Sequence, residues 1–277
     1  MLIRIGYDLT FEFTAPTPMT LMLYVHPDRA GDLVEPEKLI LEPDIPYQDF
    51  LDVFGNRVAK VVAPTGLLRM RSESRIRDNG LVDAQNPAAQ QVPVQDLPAD
   101  VMQFLLPSRY CEVDRLGSVA WDLFGKTDPG WARAKAVCNW CQANVKFGYA
   151  FARPTKTAWD TYVERTAVCR DFMHLAITFC RCLNIPARYA TGYLGDIGVP
   201  ISPDPMDFSA FFEVYLDHRW WPMDARHNIP RLGRVLMARG RDATDVALTT
   251  SFGPSKLVKF WVVTEELQEE RRSDVAT

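Results

Sequence analysis

The chain has 277 residues, 47% of them hydrophobic and 24% charged, enough to bury one large core or two moderate ones. Its 31 basic and 35 acidic residues leave a net charge of −4 and a pI near 5.6, which speaks against a nucleic-acid surface, where positive charge must cluster. No run of eighteen apolar residues occurs, so no membrane span is expected. The alternating, early-charged start Met1-Leu2-Ile3-Arg4-Ile5 lacks the pattern of a signal peptide, and the expected location is the cytoplasm.

The first ninety or so residues read as β structure. Ile3, Ile5, Tyr7, Leu9, Phe11 and Phe13 share one parity, the mark of a half-buried strand. Strands are also expected over Thr20–His26 and Leu67–Arg77. Between them, Asp49–Val62 reads as strand, tight turn at Gly55-Asn56, strand. Prolines at 16, 18, 27, 36, 43, 46 and 64 keep these elements short. The polar, proline-bearing stretch from Asn86 to Pro98 predicts a linker, which divides the chain into 1–95 and 96–277.

Beyond the linker the pattern turns helical. Trp131 to Asn144 places Ala134, Val137, Cys138 and Cys141 at helical spacing. A second helix is expected from about Val168 to Leu183, with Phe172, Leu175, Ala176 and Phe179 on its buried stripe and Asn184-Ile185-Pro186 ending it. Strands follow at Ala187–Leu194, Phe211–Leu216, Arg219–Asp224 and Lys256–Thr264. The tail from Glu265 to Thr277 reads as charged and frayed. Helices followed by antiparallel strands make the fold class α+β.

Six cysteines are present, and in a chain of this length without a secretion signal they are expected as reduced thiols. Cys169 falls at a helix start, where exposed N–H groups and the helix dipole favour a thiolate. Thr166 would cap that helix, and Arg170 could fold back on the sulfur. The competing reading is a small buried core residue. Cys138-Asn139-Trp140-Cys141 and Cys180-Arg181-Cys182 could supply four zinc ligands, but each pair lies inside a helix without a knuckle turn. No metal or other cofactor is expected. Arg231–Asp242 is a basic stretch that reads as a solvated loop or short helix, with an acidic-substrate site as the sharper alternative.

Val168-Cys169-Arg170-Asp171-Phe172-Met173-His174 followed by Leu183-Asn184-Ile185-Pro186-Ala187-Arg188-Tyr189-Ala190-Thr191-Gly192-Tyr193 resembles the catalytic-cysteine segment of the transglutaminase-like superfamily. Asp207–Leu216 is similar to the strand that carries its histidine. Trp220–Asn228 is similar to the strand that carries its aspartate. The resemblance runs from about Pro98 to Thr264. The N-terminal part is similar to the β domain that precedes this core in many bacterial members. It implies a papain-like core of helices on an antiparallel sheet, with Cys169 and Asp224 in a cysteine-protease type of site.

One position departs from the pattern: Ser209-Ala210-Phe211 stands where His-Ala-aromatic is usual. A two-residue hairpin at Asp217-His218 would place Phe211 opposite Asp224 and Ser209 opposite Arg226. Ser209 would then be a diagonal neighbour of Asp224, ~7–8 Å away. Four histidines could substitute. His227 has the wrong parity unless the strand bulges after Asp224. His218 sits at the hairpin tip, ~20 Å along the strand. His174 lies about 140° around the helix from Cys169. His26 belongs to the β part. The resemblance implies hydrolysis or acyl transfer on a peptide or protein amide through a thioacyl intermediate on Cys169, with Ser209 leaving proton transfer impaired. The alternative is an inactive relative that binds a peptide or protein partner in the same cleft.

Overall fold

The computed structural model describes residues 1–203 and 205–267. β1 (Leu2–Phe13) alternates as its sequence demands, burying Ile3, Ile5, Tyr7 and Leu9. β2 (Thr17–Leu21), β3 (Ile40–Glu42), β4 (Tyr47–Leu51), β5 (Arg57–Ala63) and β6 (Gly66–Arg77) complete the N-terminal strands. β1 and β6 pair along their whole lengths, from Leu2 opposite Arg77 to Phe13 opposite Gly66. The turn before β5 is fixed by the Asp52 carboxylate, which accepts N–H bonds from Phe54 and Asn56, while Gly55 takes φ 81°.

Four helices follow: α1 (Val113–Phe124), α2 (Trp131–Asn144), α3 (Ala158–Glu164) and α4 (Cys169–Cys182). A short parallel pair, β7 (Lys146–Phe147) and β8 (Thr166–Ala167), leads into α4. Then come β9 (Ala187–Tyr193), β10 (Ser209–Leu216), β11 (Arg219–Met223), β12 (Val235–Gly240), β13 (Thr249–Ser251) and β14 (Ser255–Leu267). The central antiparallel sheet has the order β11-β10-β9-β12. α4 is its main partner, packing on β9 and β10 with α1, α2 and α3 around it. Residues from Asp171 to Cys182 are all buried, so α4 is a core helix rather than an amphipathic surface helix. The class is α+β, with helices on an antiparallel sheet.

The β10–β11 hairpin follows the register expected from the sequence, Leu216 opposite Arg219 and Phe212 opposite Met223. Asp217 and His218 take φ 47° and 57°, the two positive values of a type I′ turn.

The last strands return to the first. β14 lies along β1, Leu2 opposite Leu267 and Phe13 opposite Ser255, and β13 pairs with β2. The two N-terminal sheets are therefore β14-β1-β6-β3 and β13-β2-β5-β4, drawing on sequence from both sides of residue 95. Their shared core also takes in Tyr193, Val235 and Met237 from the central sheet. Of the charged tail, Glu265 to Leu267 belong to β14 and residues 268–277 lie outside the described ones.

The basic stretch 231–242 is not a solvated loop. Val235–Gly240 forms β12 against β9. Arg234 is buried on Asp83 and Asp224, Arg239 bonds Glu213, and Arg241 bonds Asp245. The continuous apolar run Val235-Leu236-Met237-Ala238 is the strand signal, masked by the density of arginine around it.

Candidate active site

Cys169 is the first residue of α4, and Val168 is its N-cap. Thr166 does not cap the helix, because β8 holds it and Lys156 Nζ donates to its carbonyl at 2.5 Å and its hydroxyl at 3.1 Å. The Asp171 carboxylate instead receives the Val168 N–H at 3.1 Å. Arg170 turns to the same carboxylate, donating to Asp171 Oδ1 at 2.8 and 3.0 Å, and to the Arg153 carbonyl at 2.6 Å. Its guanidinium is thus bound to Asp171 rather than folded onto the sulfur.

The thiol itself is partly buried against the helical core. Burial and the neighbouring Asp207 carboxylate push its pKa up, against the N–H groups of Ala210 and Arg170 and the charge of Arg226. The expectation of a thiolate stabilised by the helix terminus alone is therefore corrected: desolvation outweighs the N–H groups there. A nucleophile in this position needs a base.

β11 stops at Met223, and the chain turns at once. The cause is Asp224, whose buried Oδ1 accepts the N–H groups of Arg226 and His227, both at 2.9 Å. That turn brings His227 back onto Asp224, with Nδ1 at 3.0 Å from Oδ2. Strand parity, which would have aimed His227 away, has no force once the strand has ended. Arg234 Nη2 lies 3.4 Å from the same oxygen. Burial would raise the Asp224 pKa, but the His227 hydrogen bond and the Arg234 charge hold it well below the usual carboxylate range. Asp224 is therefore an anion that accepts from Nδ1–H, which leaves Nε2 as the basic ring nitrogen.

Tyr149, Cys169, Asp207, Ser209, Arg226 and His227 line one cleft of about 480 Å³. Ser209 enters it as the first residue of β10, opposite Gly192. Asp224 does not line the cleft and meets it through His227. Residues 194–203 and 205–208, between β9 and β10, supply one wall. It is anchored by Arg231, which donates to the Gly195 carbonyl at 2.9 Å, and by the Thr264 N–H, 2.8 Å from the Met206 sulfur. Gly195 permits this fit: a Cβ there would stand 2.2 Å from the Thr264 carbonyl oxygen.

His227 was the functional candidate that sequence parity discounted. The available signal was Asp224-Ala-Arg-His227-Asn-Ile-Pro230, an aspartate able to open a turn followed by residues poorly suited to continue a strand. The other histidines serve the fold. His174 is stacked on Tyr110, accepts the Ala243 N–H, and has its pKa lowered to about 3 by burial. His26 caps a turn by accepting the Asp28 N–H, and His218 is at the hairpin tip. Cys138, Cys141, Cys180 and Cys182 are buried between helices, where burial raises Cys138 and Cys182 to about 12. Trp159 packs with Tyr162 under Arg115, outside the cleft lining.

A thiol at a helix start and an aspartate-bound histidine thus line one cleft. The sequence model of the transglutaminase-like superfamily matches residues 118–225. The crystal structure of a "Putative Cysteine Protease" from Cytophaga hutchinsonii is 33% identical, covering 98% of this chain and 92% of that one, with a TM-score of 0.86. The uncharacterized protein ML0607 of Mycobacterium leprae (strain TN) is 22% identical over 209 residues, 72% of this chain and 73% of that protein. The chain belongs to the transglutaminase-like superfamily. Among the described residues no helix is long and apolar enough to cross a membrane.

Proposed function

We propose that the protein is a cysteine-dependent hydrolase or acyltransferase acting on peptide or protein amides, with Cys169 as nucleophile, His227 as acid and base, and Asp224 orienting the imidazole. The observation that carries this reading is the 3.0 Å contact between His227 Nδ1 and Asp224 Oδ2, made by a histidine that lines the same cleft as Cys169. His227 Nε2 takes the thiol proton as Sγ attacks the amide carbon. The first-turn N–H groups of α4 face the oxyanion that develops. The imidazolium then protonates the leaving amine, the C–N bond breaks, and a thioester remains on Cys169. Water or an amine attacks that thioester, His227 receives its proton, and the thiolate departs.

Ser209 lines the cleft as a polar neighbour without an acid–base task. The alternative of an inactive binding protein rests on a vacant base position; a histidine beside Asp224 in the cleft favours the catalytic reading. The test is a pair of substitutions assayed on a casein or fluorogenic peptide panel. His227→Ala lowers turnover by about 10²–10⁴-fold, whereas Ser209→Ala retains it. Activity that survives His227→Ala and fails in Ser209→Ala would return the base position to β10.

A further inference from the structure

The cleft lining holds four ionisable side chains of the acidic and basic kinds besides His227: Asp196, Asp207, Arg226 and Arg231. Asp196 and Arg231 answer each other at 3.9 Å, and Asp196 also receives the Ser202 N–H at 2.7 Å. Arg226 lies over the Phe147 ring, 3.5 Å from its centroid. Asp207 is different. It falls two residues before the start of β10 and lines the same cleft as Cys169, whose ionisation it opposes. It forms no ion pair within 4 Å among the described residues; the Phe208 N–H bonds it, and the Arg226 charge acts on it from farther away. A carboxylate in this position works against the thiolate, so the nucleophile gains nothing from it. Carboxylates that are half-buried and unpaired carry a desolvation cost that a cationic ligand relieves.

We infer that Asp207 is a specificity-determining residue that selects a basic side chain, an ammonium or guanidinium, placed beside the acyl carbon of the peptide substrate. The inference rests on Cys169 being the nucleophile of this cleft. With the substrate cation in place, the Asp207 charge is neutralised next to the sulfur. The obstacle to thiolate formation is thus removed when the correct substrate binds, and cationic peptides gain in kcat as well as in binding.

Methanethiosulfonate reagents of opposite charge read this directly, since each forms a mixed disulfide with the Cys169 sulfur and expels sulfinate. The trimethylammonium-ethyl reagent modifies Cys169 faster than the sulfonatoethyl reagent. Asp207→Asn lowers that rate ratio by about tenfold, as does high salt in the unaltered protein. Asp207→Glu restores part of the ratio and guards against a fold defect. A ratio near one, or a ratio unchanged in Asp207→Asn, overturns the inference alone. Failure of a neutral methanethiosulfonate to label Cys169, with Cys169→Ser as the control, overturns the nucleophile assignment itself. On N-acetylated peptides with Lys, norleucine or Glu flanking the scissile amide, kcat/KM follows that order and flattens in Asp207→Asn. A preference that appears only in unacetylated peptides assigns the cation to a terminal amine and overturns the side-chain assignment.

Discussion

Among the described residues one cavity of about 500 Å³ lies at the edge of β6 and another, nearly equal at about 480 Å³, lies beside the start of α4. The first is rich in charge, but apart from Lys38 its charged side chains are already paired with neighbours. Asp8 meets Arg69 at 2.6 Å and Lys259 at 2.5 Å, Arg71 meets Glu42 at 3.0 Å, and Glu73 meets Arg4 at 2.9 Å. Hydrogen bonds from Arg69 hold the Asp8 carboxyl down at about 2. The second holds a thiol, an imidazole and the Asp207 carboxylate, which makes no ion pair within 4 Å among the described residues. Volume alone does not separate the two; unspent chemistry does.

The largest effect expected is at His227. Its replacement by alanine lowers amide turnover by about 10²–10⁴-fold, the usual worth of a positioned acid–base group, while Ser209→Ala stays within about threefold. Initial rates on a peptide substrate decide it. Equal losses in both variants would erase the distinction between the turn after β11 and the mouth of β10.

Next in size is Asp224→Asn, which removes a buried charge shared by His227, Arg234 and two N–H groups. We expect a stability loss of about 3 kcal/mol at neutral pH, measured by urea denaturation. The folded pKa of Asp224 lies below its unfolded value, so its contribution is complete above about pH 4 and disappears as pH falls toward the folded value. The difference between the two proteins must therefore shrink on acidification. A constant difference from pH 7 to pH 3 would mean that Asp224 is not held as an anion.

The smallest effect belongs to the other cavity. Glu73→Gln breaks a solvent-exposed pair with Arg4 and should cost less than about 1 kcal/mol, with turnover within about twofold of the parent protein. A tenfold loss of turnover would give the sheet-edge cavity a role that its paired charges do not suggest.

Local patterns carried much of this fold into the sequence. Alternation in β1 and β6, the helical spacing in α2 and α4, and the Asp217-His218 turn are all short-range signals, and the elements stand where those signals put them. Pairing across the chain was not legible, because nothing in Lys256–Thr264 names β1 as its neighbour. At the site, the helix start exposed Cys169, and the hairpin register placed Phe211 and Asp224 on a common side, where Arg234 now touches both. His227 stayed hidden because a period-2 argument assumes that the strand continues. A single carboxylate accepting two N–H bonds ended the strand one residue too soon for that assumption. Arg170 was equally ambiguous: its charge was visible, but its tie to Asp171 depends on side-chain directions that the sequence does not state.

The pH dependence of Cys169 alkylation by iodoacetamide tests most directly whether His227 is the base. Burial and Asp207 raise the thiol, so reactivity near neutral pH must come from proton transfer to the imidazole. The expected result is labelling of Cys169 ahead of the five buried cysteines, with a profile that moves to higher pH in His227→Ala and stays in place in Ser209→Ala. Superimposable profiles for the parent protein and His227→Ala would contradict it.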